Sequence, residues 1–322
     1  MNNFPILLVN FGGPRTLDEI PEFLSALLCD KEVIRTPLPK PIHSLLFKAI
    51  AKKRSKKITP DYEKIGGFSP IFEDTELIAK EVAKRLNRKV LTFHRYLPKT
   101  HEKFFSELKN EDYVVFPFFP QFTTATTGSI ATYFHKKMPP QFQKNLHWIR
   151  SYPDHPDYIS LFQGQIKACL DEKNLEQQEC LFLFSAHGIP KKFVDQGDSY
   201  PLECERSFQA ILKAFKKASS LLCYQSKFGP GLWLKPYTRS VVKSIEDYAK
   251  GKNKILFIPL SFTSDHIETL FEIEEDYMAP LKAKGFEVFR CPAFNQSDAW
   301  IETIIRIIQT TPSVSNEKLL RH

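Results

Sequence analysis

Residues 180–184 read Cys-Leu-Phe-Leu-Phe, an apolar run with no polar residue at either alternation. A strand made from it is buried on both faces, which calls for a parallel sheet with helices covering each side. The pattern recurs along the chain. Strand-like runs fall at 4–11, 89–95, 112–119, 145–150, 180–186, 221–226, 254–262 and 286–291. Amphipathic, helix-like stretches separate them at 72–86, 98–109, 127–137, 155–172, 201–218, 238–250, 267–284 and 297–309. Eight such units could close into one barrel or form two open four-stranded sheets. The long insertion at 12–71 breaks barrel regularity, so the spacing predicts an α/β protein with two doubly wound, Rossmann-like domains. A length of 322 residues agrees, since one core rarely organises so many.

The expected division is 1–150, 151–310 and a polar, fraying tail at 311–322. The helix at 297–309 is expected to return to the first domain. Pro139, Pro140, Pro153 and Pro156 mark the crossover. A faint echo, Pro120-Gln-Phe122-Thr123 against Pro259-Leu-Ser-Phe262-Thr263, suggests an internal duplication.

Charge and cysteine content narrow the function classes. The net charge is +8, and Lys48, Lys52, Lys53, Arg54, Lys56 and Lys57 crowd into one short block. Such a block suits solvent, an anionic surface or acidic ligand groups. No nucleic-acid module accompanies it, so no nucleic-acid partner is expected. If the chain meets a membrane surface loosely, the basic, Leu- and Phe-bearing segment 42–57 is where it does so. No apolar run is long enough to span a bilayer, and the apolar start lacks a basic leader and cleavage site. The six cysteines are scattered, with no C-x-x-C pair, which argues against structural zinc, a cluster or a disulfide framework. A reducing cytoplasm is the expected location. The 28 phenylalanines exceed ordinary core needs and suit a pocket for a flat aromatic ligand.

Open parallel sheets bind ligands beyond the carboxyl ends of their strands. Four strand ends here carry polar or aromatic residues: Asn10-Phe11-Gly12-Gly13-Pro14-Arg15, His94-Arg95-Tyr96, Ser185-Ala186-His187-Gly188, and Ser264-Asp265-His266-Ile267-Glu268. A lone histidine is usually a satisfied core or surface residue, but His187 sits at a strand end before a turn. Ser264 or Asp265 can cap the following helix, which leaves His266 and Glu268 without a structural task. A histidine and a carboxylate from different strands suit a divalent metal or a proton transfer. Neither spacing makes a closed zinc site.

The motifs V-N-F-G-G-P at 9–14, Tyr62-x-x-I-G-G-x-S-Pro70, P-Q-F-T-T-A-T-T-G-S at 120–129, S-A-H-G-I-P at 185–190, Q-S-K-F-G-P at 225–230 and F-T-S-D-H-I-E-T-L at 262–270 follow in order. Together they resemble the ferrochelatases over nearly the whole chain. The resemblance implies two Rossmann-like domains facing a porphyrin cleft. It implies insertion of Fe²⁺ into a porphyrin, protoporphyrin or coproporphyrin, with release of two protons. It makes His187 proton acceptor, metal ligand or both, and Glu268 the second essential residue, supported by Asp265 and His266. Phe11, Phe122, Trp233 and Tyr96 become clamp or wall residues. Arg54 and Ser69 match propionate positions, with Arg95 and Arg15 as further cations. Glu272 and Asp276 extend Glu268 into an acidic ladder for protons or metal. Some relatives bind an iron–sulfur cluster through a cysteine where this chain has Thr124 and through a C-terminal extension, so no tightly bound cofactor is expected. The rival expectations are a chelatase for another tetrapyrrole such as sirohydrochlorin, and a two-lobed haem or metal carrier without chemistry.

Overall fold

A computed structural model describes residues 3–321, and the eight expected strands are all present. They form two all-parallel sheets. The first contains β1 (Ile6–Asn10), β2 (Val90–His94), β3 (Tyr113–Pro117) and β4 (Leu146–Trp148), in the order β2-β1-β3-β4. The second contains β5 (Cys180–His187), β6 (Ser219–Gln225), β7 (Lys254–Pro259) and β8 (Glu287–Arg290), in the order β6-β5-β7-β8. The chain divides into two compact units, residues 1–151 with 296–322, and residues 152–295.

The two sheets repeat one topology, and the repeat has a definite register. β1 pairs Val9 with Pro117, the proline that ends β3, and β5 pairs Ser185 with Pro259, the proline that ends β7. Phe11 and His187 therefore stand at matching positions past those pairs. The echo legible in the sequence aligned Pro120 with Pro259, which is out of step with this register. Resemblance in the loops after the strands, and not strand pairing, produced that alignment.

In the first unit β1 is buried along its length, as its unbroken apolar composition requires. On one face Leu7, Val9, Phe93 and Val115 pack against Ile130, Phe134, Trp148 and Leu319. Phe93 is the hub of an aromatic cluster, with ring centroids 4.7 Å from Phe134 and 4.9 Å from Phe104. On the other face the helix Asp298–Thr310 presents Trp300 to Phe116 at 6.2 Å. Arg85 of the helix Ile71–Leu86 joins it through ion pairs to Asp298 and Glu302.

The described residues after Thr311 dock onto the first unit. Val314 exchanges backbone hydrogen bonds with Trp148 at 2.8 and 2.9 Å, and Leu319 enters the core at 1% exposure. The tail is polar by composition, but its few apolar residues are the ones that dock. The insertion at 12–71 also gains order: it holds the helices Ile20–Leu28 and Lys40–Lys64, and the whole basic block lies on the second. Its five lysines are exposed and Arg54 is half-buried.

In the second unit Leu181, Leu183 and Phe257 pack against Val241, Ile273 and Tyr277 on one face. Phe182 and Phe184 meet Phe215 and Phe208 on the other. The stretch expected as one helix at 267–284 begins as a π-helix, Ile267–Met278, and only then becomes α-helical at Ala279–Ala283. Helices wound with i→i+5 hydrogen bonds are rare and are found frequently at functional sites. Among the described residues no helix is long and apolar enough to cross a membrane.

Candidate active site

β5 delivers His187 to its carboxyl end, and the strand's last turn of sequence fixes the ring. Ser185 donates to Gln225 Oε1 at 2.7 Å, and the Gly188 N–H donates to the Gln225 carbonyl at 2.9 Å. A Cβ at Gly188 would sit 2.8 Å from that carbonyl and 3.4 Å from the Trp233 ring, so only glycine allows this approach. Trp233 is held there by a bridge between its strand segment and Pro190.

His187 Nδ1 lies 2.9 Å from Glu268 Oε2, across 81 residues of sequence. Glu268 is in the first turn of the π-helix, and Gln225 Nε2 donates to its backbone carbonyl at 2.8 Å. His266 caps the same helix: its N–H donates to Thr269 Oγ1 at 2.9 Å, and its Nε2 stands 3.7 Å from the same Glu268 oxygen. One carboxylate oxygen thus faces two imidazoles. Phe262 borders both, with ring centroids 6.5 Å from His187 and 5.1 Å from His266.

This geometry sets the chemistry. Donation from Nδ1 to Glu268 leaves Nε2 of a neutral His187 as a lone pair, able to accept a proton or bind a metal. Burial pulls the His187 pKa down, but the charge and hydrogen bond of Glu268, aided by Glu272, outweigh it and the pKa rises. Burial opposes ionisation of Glu268 too, yet His187 and His266 together hold its pKa well below the carboxylate range. Among the described residues no group of three or more His, Cys, Asp or Glu is arranged to hold a metal ion.

The other expected residues of this unit are placed differently. Asp265 is buried and its carboxylate accepts from Arg290 at 2.7 Å, Asn295 at 3.1 Å and the Ala293 N–H at 3.3 Å. Glu272 accepts from the Ser226 N–H at 2.9 Å, Ser226 Oγ at 2.5 Å, Gln225 Nε2 at 3.2 Å and the Tyr277 hydroxyl. Asp276 pairs with Arg239 at 2.9 Å on the surface. The three carboxylates of the ladder share a helix, but each faces its own donors.

In the first unit Phe11 is half-buried, its ring 5.0 Å from Tyr96 and 4.8 Å from Phe119. Tyr96 does not reach the surface: it is fully buried behind Phe11, and its hydroxyl meets Asp30 and Ser129, each at 3.1 Å. Arg95 donates to the same Asp30 at 2.7 Å and lies over the Tyr96 and Tyr133 rings. Arg15 pairs with Glu19. Phe122 is buried beneath the guanidinium of Arg150, 4.1 Å from its ring. Ser69 is buried against Gly13, where a Cβ would come within 2.4 Å of its hydroxyl.

The ferrochelatase family model matches residues 4–311. A ferrochelatase of Chlamydia caviae is 44% identical over 98% of this chain and 98% of its own. One of Chlamydia abortus is 42% identical with the same coverage of both. The chain belongs to the ferrochelatase family. A solved structure of CbiX, the terminal enzyme for biosynthesis of sirohaem in denitrifying bacteria, is similar at a TM-score of 0.48 and 10% identity, over 95% of this chain and 98% of that one.

Within this family member, sequence reasoning passed over Asp30, Arg290 and Asn295. Arg290 ends β8, so the rule that drew attention to the other strand ends would have found it too. Asp30 lies in the insertion, where no periodicity announces its partners.

Proposed function

We propose that this ferrochelatase-family chain inserts Fe²⁺ into a porphyrin with release of two protons, in haem synthesis. The observation that carries the reading is the His187–Glu268 pair, with Nδ1 2.9 Å from Oε2, an arrangement in which the neutral imidazole has its Nε2 lone pair left to accept a proton. Metal insertion breaks two pyrrole N–H bonds and forms bonds from those nitrogens to iron. His187 Nε2 accepts one pyrrole proton and releases it to solvent, then accepts the second, and Glu268, whose carboxylate remains ionised, stabilises the imidazolium each time. His266, 3.7 Å from the same oxygen, gives the proton or the arriving cation a second imidazole.

In this reading Phe11, backed by Tyr96, is the first unit's aromatic contact for the porphyrin and Arg54 its propionate cation, while Phe122 and Ser69, both buried, support that surface from beneath. A ring held out of plane exposes its nitrogen lone pairs to the metal. Fe²⁺ is substrate, and the reading includes no iron–sulfur cluster: Thr124 stands at the cysteine position, and Arg35 donates to its hydroxyl. The reading places the chain in the cytoplasm.

The test is direct. Purified protein is mixed anaerobically with protoporphyrin or coproporphyrin and Fe²⁺ or Zn²⁺, and the visible bands are followed. Conversion of free-base to metalloporphyrin bands, catalytic in protein, supports the reading. Stoichiometric binding without conversion points to a carrier and defeats it.

A further inference from the structure

We infer that Arg290 is a positioning residue for metal insertion, clamping the π-helix so that Glu268 meets His187; the inference rests on the function proposed above. Arg290 is the last residue of β8 and retains only 12% side-chain exposure. Its guanidinium serves two carboxylates at once. Nη1 donates to Asp265 Oδ1 at 2.7 Å, and Nε donates to Glu274 Oε1 at 2.9 Å. Asp265 lies just before the π-helix and Glu274 lies within it, so one rigid side chain grips the element at its entry and along its length.

The entry is held from a second direction. Asn295, in a left-handed conformation at φ 50°, accepts from the Asp265 N–H at 2.7 Å, returns a hydrogen bond to its carboxylate at 3.1 Å, and donates its own N–H to Thr263 at 3.0 Å. The segment Thr263–Asp265 is therefore tied to the residues around the end of β8 by a closed circuit of hydrogen bonds. The His266–Thr269 cap and the Gln225 bond to the Glu268 carbonyl hold the first turn locally, and the Arg290 grip fixes where that turn sits relative to β8. Arginine is the residue this task needs: its planar fork holds two acceptors in fixed directions, whereas a lysine ammonium is a single point charge on a flexible stem. Asp265, expected to support Glu268, does so in this account through Arg290 and the backbone.

The experiment compares Arg290→Gln, Arg290→Lys and Glu274→Gln in the full chain, by zinc insertion kinetics at a temperature where each is folded. Arg290→Gln should lower kcat and raise the metal KM by about ten- to hundredfold, the range for losing a group that orients a site, with the porphyrin KM unchanged. Arg290→Lys keeps a charge for Asp265 and gives up Glu274, so it should match Glu274→Gln, both between wild type and Arg290→Gln. A folded Arg290→Gln with wild-type kcat and metal KM overturns the inference. Should Arg290→Gln not fold, the other two decide: both reduced alike supports the clamp, and a wild-type Glu274→Gln overturns it. Amide exchange of residues 266–270 separates this inference from the functional reading, since it needs no turnover. Faster exchange in all three variants supports the clamp even if the wild type inserts no metal, and unchanged exchange overturns it even if insertion is confirmed.

Discussion

Replacing Glu268 by Gln isolates what the carboxylate's charge does for His187. The amide keeps the size of the side chain and an oxygen that accepts from Nδ1, so the 2.9 Å contact can persist. What disappears is the attraction for the imidazolium formed when Nε2 takes a pyrrole proton. Two unit charges at 2.9 Å attract by about 1.4 kcal/mol in water and about 6 kcal/mol at an effective dielectric of ~20. Side-chain exposures of 38% for His187 and 29% for Glu268 place the pair toward the aqueous limit. A loss of about 1.5–3 kcal/mol follows, or about ten- to hundredfold in rate. The pH profile supplies the sign. Glu268 raises the His187 pKa, so the neutral base, and with it activity, appears only above that raised value. Glu268→Gln should move the acid limb to lower pH while lowering the plateau. Stability runs the other way. The histidine's share is full below its ordinary 6.5 and is lost as pH rises through the raised pKa; the carboxylate's share is full above its ordinary 4.5 and is lost as pH falls through the depressed one. The pair therefore stabilises the second unit most between those ordinary values, below the pH of greatest activity. Stopped-flow zinc insertion across pH, with thermal melts on the same samples, reads both. An unchanged plateau and an unmoved acid limb in the variant would refute the reasoning.

Other substitutions test separate parts of the account. His187→Ala, at a strand end and half-exposed, should leave the melting temperature close to wild type but lower insertion by about 10²–10⁴; near-normal turnover in folded protein would remove the base from His187. Gly13→Ala drives a Cβ to 2.4 Å from the Ser69 hydroxyl and should cost about 1–3 kcal/mol in urea unfolding, with Ser69→Gly restoring part of it. Leu319→Ala should cost about 2–4 kcal/mol, because that side chain is 1% exposed in the first unit's core; a freely fraying tail would cost nothing. Arg54→Ala should raise the KM for a propionate-bearing porphyrin about tenfold, the worth of one charge-assisted hydrogen bond, and leave the esterified porphyrin unaffected.

Much of this was legible in the chain itself. Apolar runs such as Cys180-Leu-Phe-Leu-Phe184 are a local signal, because a strand buried on both faces must be apolar at every position. That logic located eight strands and the two strand ends that carry His187 and Glu268. It misjudged the tail, since burial of Val314 and Leu319 depends on a surface made by Trp148 and the helix Thr127–Lys137, far away in sequence. Nor does the four-residue spacing of Glu268, Glu272 and Asp276, which the resemblance made an acidic ladder, announce that each carboxylate has its own donors.

The sequence by itself determined the class of fold, which segments end in chemistry-bearing residues and membership of the ferrochelatase family, because hydrophobic periodicity and ordered motifs are written in neighbouring residues. Tertiary structure alone decided how the charges are matched. It paired His187 with Glu268, gave Asp265 to Arg290, saturated Glu272 with Ser226 and Tyr277, and set Asp30 against Arg95. A buried charge takes whichever partner the packed chain brings within hydrogen-bond reach, and that partner lies 81 residues away for His187 and 25 for Asp265. No local pattern encodes such a separation. The π-helix after β7 likewise finds an ion-pair partner for Glu274 in Arg290, on a strand that follows it in the chain.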